Sequence, residues 1–184
     1  MNAIARPLIR FRFAARKALA VLHRMVEEQE GIDLHAALKA CYFADKDHLN
    51  RHGRPVFGAN YRAMRFGPVP LEIYEMAKGE PIWLAELGLD RLPWELRGYR
   101  LHRNPAWNGP ADLRALSESD RDAVAAGVAR ARGMSFDERT AATHGPDWQK
   151  ARLGPIRYED MLDDGPDKAE RVAELRESAA FMRL

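Results

Sequence analysis

The chain has 184 residues and only one cysteine, Cys41. A single cysteine cannot form an internal disulfide, which excludes a disulfide scaffold and favours a reducing compartment. The sequence also lacks any run of about 18 apolar residues, so it predicts no transmembrane helix. Its N-terminal stretch carries scattered basic side chains without the apolar block of a secretion signal. We therefore expect a soluble, cytoplasmic protein that makes no membrane contact.

The signatures of common enzymes are missing as well. The sequence contains no Ser–His–Asp motif, no CxxC pair and no dinucleotide fingerprint. The stretch "RFGPVP" has one glycine, whereas a phosphate-binding loop needs several glycines followed by Lys and then Ser or Thr. The formal net charge of +2 is too small to indicate nucleic acid as a necessary partner. The residues alone predict a domain that is not an enzyme and needs no cofactor.

What is present is the composition of a folded globular domain. Hydrophobic residues make up 46% and charged residues 30% of the chain. A chain of this length is able to enclose one hydrophobic core. Helical periodicity dominates, and a few short stretches alternate or are broken by proline and glycine. We therefore predict a mainly α fold of the α+β class, compact and single-domain, with a small antiparallel sheet.

The first third of the sequence predicts one strand and two helices. Apolar and basic residues alternate in "IRFRF" at residues 9–13, which is typical of a short half-buried strand. A helical period follows from about Phe13 and ends at Gly31. Asp33 is then expected to cap a second helix, and Gly53 to end it.

Turn and cap signals predict the remaining elements. Residues 54–66 indicate an extended or hairpin segment, "RFGPVP" a rigid turn and "LEIYEMAKG" a short helix. The stretch "LRGYRLHR" predicts a strand. Two capping boxes, "SESD" and "SFDE", predict the starts of two further helices, although the first has Asp in place of the usual Glu. After Pro166 the apolar pattern predicts a last helix.

The stretch "KACYFADKDHLNRH" contains the residue types of a metal site. His48 and His52 are four positions apart, so on a helix both imidazoles reach one side, with Asp45 about one turn earlier. The HExxH pattern, in which a glutamate supplies the general base, is absent. A metal-dependent hydrolase built on these three residues is therefore an alternative rather than the leading hypothesis.

Two other residues of this stretch are expected to be structural. Cys41 lies in the middle of the predicted helix, where a buried cysteine usually packs as a small apolar side chain. Asp45 lies on an otherwise apolar face, and an unpaired buried carboxylate is very costly. We expect Asp45 to be a polar anchor that bonds Tyr, Arg or backbone N–H groups of residues 54–67.

Two clusters of like charge leave more than one interpretation. "YEDMLDDG" concentrates carboxylates as a cation site does, but it lacks the spacing of an EF-hand loop, so a solvated helix end is expected. Near the N-terminus, basic residues precede any acidic one. They indicate either a nucleic-acid-binding regulator or a basic surface that meets an acidic protein. These residues are Arg6, Arg10, Arg12, Arg16 and Lys17.

Several stretches, read in order, resemble one known family. The pattern runs Lys–aromatic–Asp, then Gly-x-Pro, Tyr-x-Ala, and Gly-Pro-Val-Pro before a helix with Tyr. The matching residues are Lys39, Tyr42, Phe43, Asp45, Gly53, Pro55, Tyr61, Ala63, Gly67, Pro68, Val69, Pro70 and Tyr74. "LSESD" and "THGPDW" follow in the same order further along the chain. Together these motifs are similar to the Panacea domain of SocA-like antitoxins.

The resemblance covers residues 17–165, which we expect to form one domain. Residues 1–16 and 166–184 lie outside the matched region, and we expect a basic arm before the domain and a C-terminal helix that packs on the domain. Cys41 stands where the family pattern more often has a bulky apolar residue, a departure that concerns packing rather than function.

The resemblance also implies a function. Members of the family bind and neutralise a protein toxin encoded beside them, and one member is a proteolytic adaptor that presents its toxin to ClpX, the unfoldase of the ClpX–ClpP protease. Transferred to this chain, the adaptor mechanism predicts a cognate toxin and ClpX as partners. Direct occlusion of the toxin without proteolysis is the alternative mechanism. Family members neutralise unrelated toxins, so the resemblance does not identify the toxin.

Two apolar stretches are candidate partner-binding surfaces. The first lies in "YRAMRFGPVP", and the second is a stripe on the last helix. The same apolar periodicity serves a core and an exposed surface, so the sequence does not separate the two roles. The candidate residues are Tyr61, Met64, Arg65 and Phe66 in the first stretch, and Val172, Leu175 and Met182 in the second.

Overall fold

The helices and strands of the protein surround one long central helix, α2. The structure is a computed structural model that describes residues 8–184. The helices among these residues are α1 Ala15–Glu28, α2 Leu34–His52, α3 Leu71–Lys78, α4 Pro81–Leu87, α5 Glu118–Arg132, α6 Phe136–Thr143, α7 Pro146–Ala151, α8 Tyr158–Met161 and α9 Lys168–Ser178. Short 3-10 helices span Leu113–Ala115 and Ala179–Phe181. Within the same range, no helix is both long enough and apolar enough to cross a membrane.

The strands form two small antiparallel sheets. Their bounds are β1 Ile32–Asp33, β2 Tyr61–Met64, β3 Gly67–Pro70, β4 Trp94–Arg97, β5 Arg100–Arg103 and β6 Pro155–Ile156. One sheet has the order β1-β5-β4 and the other β3-β2-β6. The predicted α+β class is therefore confirmed, with two small antiparallel sheets in place of the one expected.

Helix α2 is buried along most of its length and on more than one face. It packs most extensively against α5, and small residues allow the two backbones to approach. A Cβ atom at Gly127 of α5 would lie 2.5 Å from the carbonyl oxygen of Ala40, so only glycine fits there. A helix buried on several sides shows little amphipathic pattern. This explains why the stretch "KACYFADKDHLNRH" mixes apolar and reactive side chains.

Helix ends follow the local signals in the sequence. The Asp33 carboxylate caps α2 by accepting a hydrogen bond from the His35 amide at 2.7 Å. Gly53 ends the helix in the left-handed conformation, with φ at 70°. The capping boxes that begin α5 at Ser117 and α6 at Ser135 are both present. These four predictions are confirmed because caps depend on contacts within one helical turn.

The hairpin β2–β3 corrects one prediction. Residues Gly67–Pro70 form strand β3, paired with β2 in the register Tyr61 with Pro70 and Met64 with Gly67. The turn occupies residues 65–66, so the rigid turn predicted for "RFGPVP" is limited to the start of that stretch, and "GPVP" itself is extended. Strand β3 is at the edge of its sheet, where a proline removes no hydrogen bond of the ladder.

The segment before α1 corrects another prediction. Ile9 and Phe11 are buried and the arginines between and after them are exposed, as the alternation predicted. Residues 9–13 nevertheless belong to neither sheet, so the predicted strand was wrong. The alternation arises because Phe11 packs on the core, with its ring 4.7 Å from that of Tyr158.

Helix α9 packs on the C-terminal end of α2. Leu175 is buried, and Arg171 donates hydrogen bonds to the carbonyls of Leu49 and Asn50 at 3.1 and 2.9 Å. The last carbonyls of a helix have no partner within the helix. Arg171 therefore satisfies the Asn50 carbonyl and gives a second donor to the Leu49 carbonyl, which the Gly53 amide also bonds. The C-terminal segment thereby contacts the end of α2 opposite to Asp33.

Asp45 joins α2 to the segment that follows it. Its carboxylate accepts hydrogen bonds from the amides of Val56 and Phe57, both at 2.8 Å, and from the Tyr61 hydroxyl at 3.0 Å. These are partners of the predicted kind. Burial raises the pKa of Asp45 to about 7, and the three hydrogen bonds keep the pKa from rising further.

A second buried carboxylate, Asp120, joins α5 to α1 and to the loop after α2. It contacts Lys17 Nζ at 2.6 Å and Arg54 Nη1 at 3.0 Å. Burial by itself raises the pKa of Asp120, but the Lys17 ammonium and the Ser117 amide and hydroxyl outweigh burial and lower it to about 2. Lys17 is therefore a buried ion-pair partner, which removes it from the predicted basic surface.

We predict that Asp45→Ala destabilises the protein by about 3 kcal/mol or more, because two buried amides and a tyrosine hydroxyl lose their acceptor. Urea unfolding at neutral pH measures this change. Asp47→Ala on the same helix is the control, since Asp47 forms only a surface pair with Arg51 and should cost no more than about 0.5 kcal/mol. Equal stability of the Asp45 variant and the parent would contradict the anchoring role.

We predict that Lys17→Met lowers stability by about 3 kcal/mol at pH 7, because Asp120 keeps its charge but loses its closest partner. The carboxylate has a lowered pKa in the folded state, so its contribution is complete above about pH 4 and disappears as pH falls towards about 2. The difference between variant and parent should therefore shrink over that range. Lys150→Met, which breaks an exposed pair with Asp160, should show a small loss. A loss that is independent of pH would contradict the assignment.

Candidate functional site

An open cleft of about 740 Å³ lies at the N-terminal end of α2. Its walls come from five places: the first turns of α2, the β2–β3 hairpin, Tyr74 of α3, the β4–β5 turn and the start of α6. The side chains that face it are mainly apolar and include Leu38, Met64, Phe66, Val69, Tyr99 and Phe136. We refer to this feature as the aromatic cleft.

Three aromatic side chains of the cleft are unusually exposed. Relative accessibilities are 46% for Phe66, 83% for Tyr99 and 39% for Phe136. The Phe66 and Phe136 rings contact each other edge to face at 5.1 Å, so the hairpin turn and α6 meet there. A group of exposed apolar side chains beside a cleft is typical of an interaction site.

Polar contacts hold the walls of the cleft together. His35 contacts the Phe66 carbonyl through Nε2 at 3.1 Å, and the Arg139 guanidinium donates to its Nδ1 at 3.2 Å. Burial, followed by the nearby Lys39 charge, lowers the pKa of His35, so the imidazole is neutral at pH 7. Arg139 also pairs with Asp33 at 3.1 Å. Helix α6, the start of α2 and the hairpin turn are thus fixed relative to one another.

The deepest charged group of the cleft is Lys39. Its side chain is 1% exposed, and its ammonium donates one hydrogen bond, to the Pro68 carbonyl at 2.8 Å. Among residues 8–184, no carboxylate lies within ion-pair distance of it. Burial, assisted by Arg139, lowers the pKa of Lys39 to about 7. A buried cation with a perturbed pKa beside a cleft is typical of a functional site.

The structure separates the residues of the first candidate surface. Met64, Arg65 and Phe66 line the aromatic cleft together, although they form only one of its walls. Tyr61 lies in the core at 3% exposure, with its hydroxyl bonded to Asp45. Partner contact through Met64, Arg65 and Phe66 stays a prediction, and Tyr61 is placed to support the hairpin instead.

The second candidate surface is only partly accessible. Leu175 is buried, whereas Val172 and Met182 are half-buried against the core. The most exposed apolar side chain of this segment is Phe181, at 85%. Partner contact in this segment stays a prediction, and its geometry favours Phe181, which the sequence pattern had not singled out.

Other cleft residues were not predicted from the sequence. Tyr99 and Phe136 lie far from Phe66 in sequence, and no local pattern marks them as exposed. Lys39 carried a usable signal, because a lysine within a predicted buried helix needs a partner or a function. That signal identified the residue but not the cleft above it.

The residues that suggested catalysis or metal binding have structural roles. His48 is fully buried and contacts the Arg54 carbonyl at 2.7 Å and the Ser119 hydroxyl at 3.0 Å. Its ring packs against that of His52, 4.4 Å away. Over residues 8–184, no group of three His, Cys, Asp or Glu side chains is arranged to hold a metal ion. Cys41 is buried, which raises the pKa of its thiol and keeps it from reacting.

These observations define a helical domain with an open aromatic cleft, an arrangement suited to binding another molecule. The family described as "Antitoxin SocA-like, Panacea domain" matches residues 38–149, more than half of the chain. The chain therefore belongs to the SocA-like antitoxin family, and this membership supports an antitoxin role with a cognate toxin as partner. No curated protein and no solved structure matches the chain significantly.

The family motifs contact one another in the folded protein. Lys39 bonds Pro68 of "GPVP", and Asp45 bonds the segment before the hairpin. The Tyr42 hydroxyl donates to Asp147 of "THGPDW" at 2.5 Å, and Trp148 of the same motif donates to the Met64 carbonyl at 2.9 Å. Dispersed motifs thus form one contact network around α2, and the aromatic cleft is built on it.

We predict that Gly67→Ala destabilises the protein by about 3 kcal/mol. Gly67 has φ at 101°, and an added Cβ would overlap the Thr143 hydroxyl and lie 3.0 Å from Lys39 Nζ. Gly98→Ala is the control, since Gly98 also has a positive φ but nothing within 4 Å, and about 1 kcal/mol is expected. Urea unfolding compares the two variants. Equal losses would show that the space beside Lys39 is not restricted.

Proposed function

We propose that the chain neutralises a protein toxin by binding a toxin segment in the aromatic cleft and delivering the toxin to the ClpX–ClpP protease. The exposed trio of Phe66, Tyr99 and Phe136 carries the proposal. These rings belong to three separate elements yet line one cleft, and they leave apolar surface that a partner would cover. Aromatic side chains of this kind are common energetic centres of protein interfaces.

The adaptor mechanism requires a second surface that remains free when the toxin is bound. The C-terminal segment with exposed Phe181 is the candidate for contact with ClpX. Arg171 binds this segment to Leu49 and Asn50, whereas the cleft begins at Leu34. Asn50 is sixteen positions after Leu34 on the same helix, a distance of about 24 Å at a rise of 1.5 Å per residue. The two surfaces therefore lie at opposite ends of α2, which supports simultaneous contact with two partners.

The proposal predicts that cleft and tail variants have separable effects. The chain would be co-expressed with the product of the neighbouring gene, and growth rescue, co-purification and toxin half-life would be measured. Phe66→Ser and Phe136→Ser should each weaken toxin binding by about 30-fold, because each removes an anchor worth about 2 kcal/mol. Both side chains are partly exposed, so folding should persist.

Phe181→Ser is the matched control variant, because it also removes an exposed phenylalanine but at the other end of α2. It should leave toxin binding unchanged and lengthen the toxin half-life in cells that contain ClpX. If growth rescue persists in cells without ClpX and the toxin remains stable there, the mechanism is direct occlusion of the toxin and not delivery to the protease. Undiminished binding by both cleft variants would refute the cleft as the toxin site.

A pull-down from the native host identifies the toxin for these measurements. The bait is the tagged chain in cells whose ClpP is inactive and retains its substrates. Recovery counts as support only if the neighbouring-gene product is captured by the parent chain and lost with the Phe66 and Phe136 variants. Recovery of ClpX in the same complex, and its loss with Phe181→Ser, is the expected result for an adaptor.

A further inference from the structure

The floor of the aromatic cleft contains an ammonium group, that of Lys39, which no acidic side chain of residues 8–184 neutralises. Lys39 has three N–H donors, and within residues 8–184 its one hydrogen bond goes to the Pro68 carbonyl. A buried charge is costly unless it is paired. The other buried lysine, Lys17, shows the ordinary solution, because it contacts the Asp120 carboxylate at 2.6 Å.

The unpaired charges around the rim of the cleft are positive, like that of Lys39. Arg65 and Arg100 line the cleft and are exposed, and neither forms an ion pair with an acidic side chain of residues 8–184. Asp33 is the one acidic residue among the described residues that line the cleft, and Arg139 already binds it. The cleft is therefore apolar in its walls and positive at its floor and rim.

We infer that the cleft accepts a toxin segment in which an acidic side chain, flanked by large apolar residues, reaches Lys39. The inference rests on the proposed function and adds the chemistry of the segment. A carboxylate supplies the partner that Lys39 lacks, and a charge-assisted hydrogen bond in a buried site is strong. The flanking apolar residues pack on Phe66, Tyr99 and Phe136.

An internal acidic side chain fits this cleft better than the end of a chain. The exposed rings belong to three different elements, the hairpin turn, the β4–β5 turn and α6, so apolar contacts are available from several directions. An internal segment provides neighbours on both sides of its acidic residue, whereas a chain end provides them on one side. Lys39 lines the cleft but is only 1% exposed, so an acidic side chain must extend deep into the cleft and the lysine side chain must shift towards it.

Binding of a carboxylate should also be linked to proton uptake. In the free protein the pKa of Lys39 is about 7, and a nearby carboxylate raises it. Affinity should then be highest below about pH 7 and fall as the pH increases above that value. The groups that face Lys39 are His35 on its own helix, Arg139 and Thr143 on α6, and the Pro68 carbonyl on β3.

The first test uses two small probes, 3-phenylpropionate and 3-phenylpropionamide, which differ only in the carboxylate. Each would be titrated into the full chain at pH 6.5 and followed by NMR. The carboxylate should bind about tenfold more tightly, from one charge-assisted hydrogen bond. Lys39→Met, which keeps a long apolar side chain, should remove this preference, whereas Lys78→Met, at the exposed C-terminal end of α3, should retain it. Equal affinities, or a preference that survives in the Lys39 variant, would overturn the inference.

The second test uses the toxin itself and separates this inference from the proposed function. Lys39→Met should weaken toxin binding by about tenfold and flatten its dependence on pH between about 6 and 9. If Phe66→Ser abolishes binding while Lys39→Met leaves it unchanged, the cleft is the toxin site and the acidic contact is wrong. The toxin can also bind through its C-terminal carboxylate. In that case, extending the toxin C-terminus reproduces the loss of affinity seen with Lys39→Met, and no substitution of an internal Asp or Glu does. That result would overturn the inference.

Discussion

The need to satisfy polar side chains on a buried helix shapes the whole protein. Helix α2 lies in the core, yet every third residue from position 39 to 48 is polar: Lys39, Tyr42, Asp45 and His48. An unpaired buried polar group costs free energy, so each of these side chains requires a partner from another part of the chain. The partners come from β3, α7, the loop before β2, and α5 with the loop after α2. Four polar groups thereby position most of the elements around α2.

The same constraint distinguishes Lys39 from the other three polar side chains. Tyr42 is bonded to a carboxylate, Asp45 accepts three hydrogen bonds, and both ring nitrogens of His48 have partners. Among residues 8–184, the ammonium of Lys39 has only the neutral Pro68 carbonyl as its partner. A fold optimised for stability alone would neutralise it or replace it with an apolar residue. The incomplete pairing lies directly below the exposed aromatic side chains, so the polar and apolar signals of function coincide.

This arrangement explains why the family motifs are separated in the sequence but adjacent in the fold. The motifs that mark the family form a connected frame in this protein. The frame here is the set of contacts between "GPVP", "THGPDW" and α2, all of which are buried or half-buried. Tyr99 and Phe136 lie outside these motifs and form the accessible rim. A substitution at this rim leaves the buried contacts between the motifs in place.

The sequence by itself determined the local features of this protein: the cap at Asp33, the end of α2 at Gly53, and the two capping boxes, because their partners lie within one turn. It also determined that Asp45 needs donors, and hydrophobic periodicity indicated the helices. Only the tertiary structure decided which apolar residues remain exposed. Tyr61 and Phe66 belong to one hairpin, yet one is buried and the other lines the cleft. Elements distant in sequence cover the first and leave the second open, and periodicity carries no information about that packing.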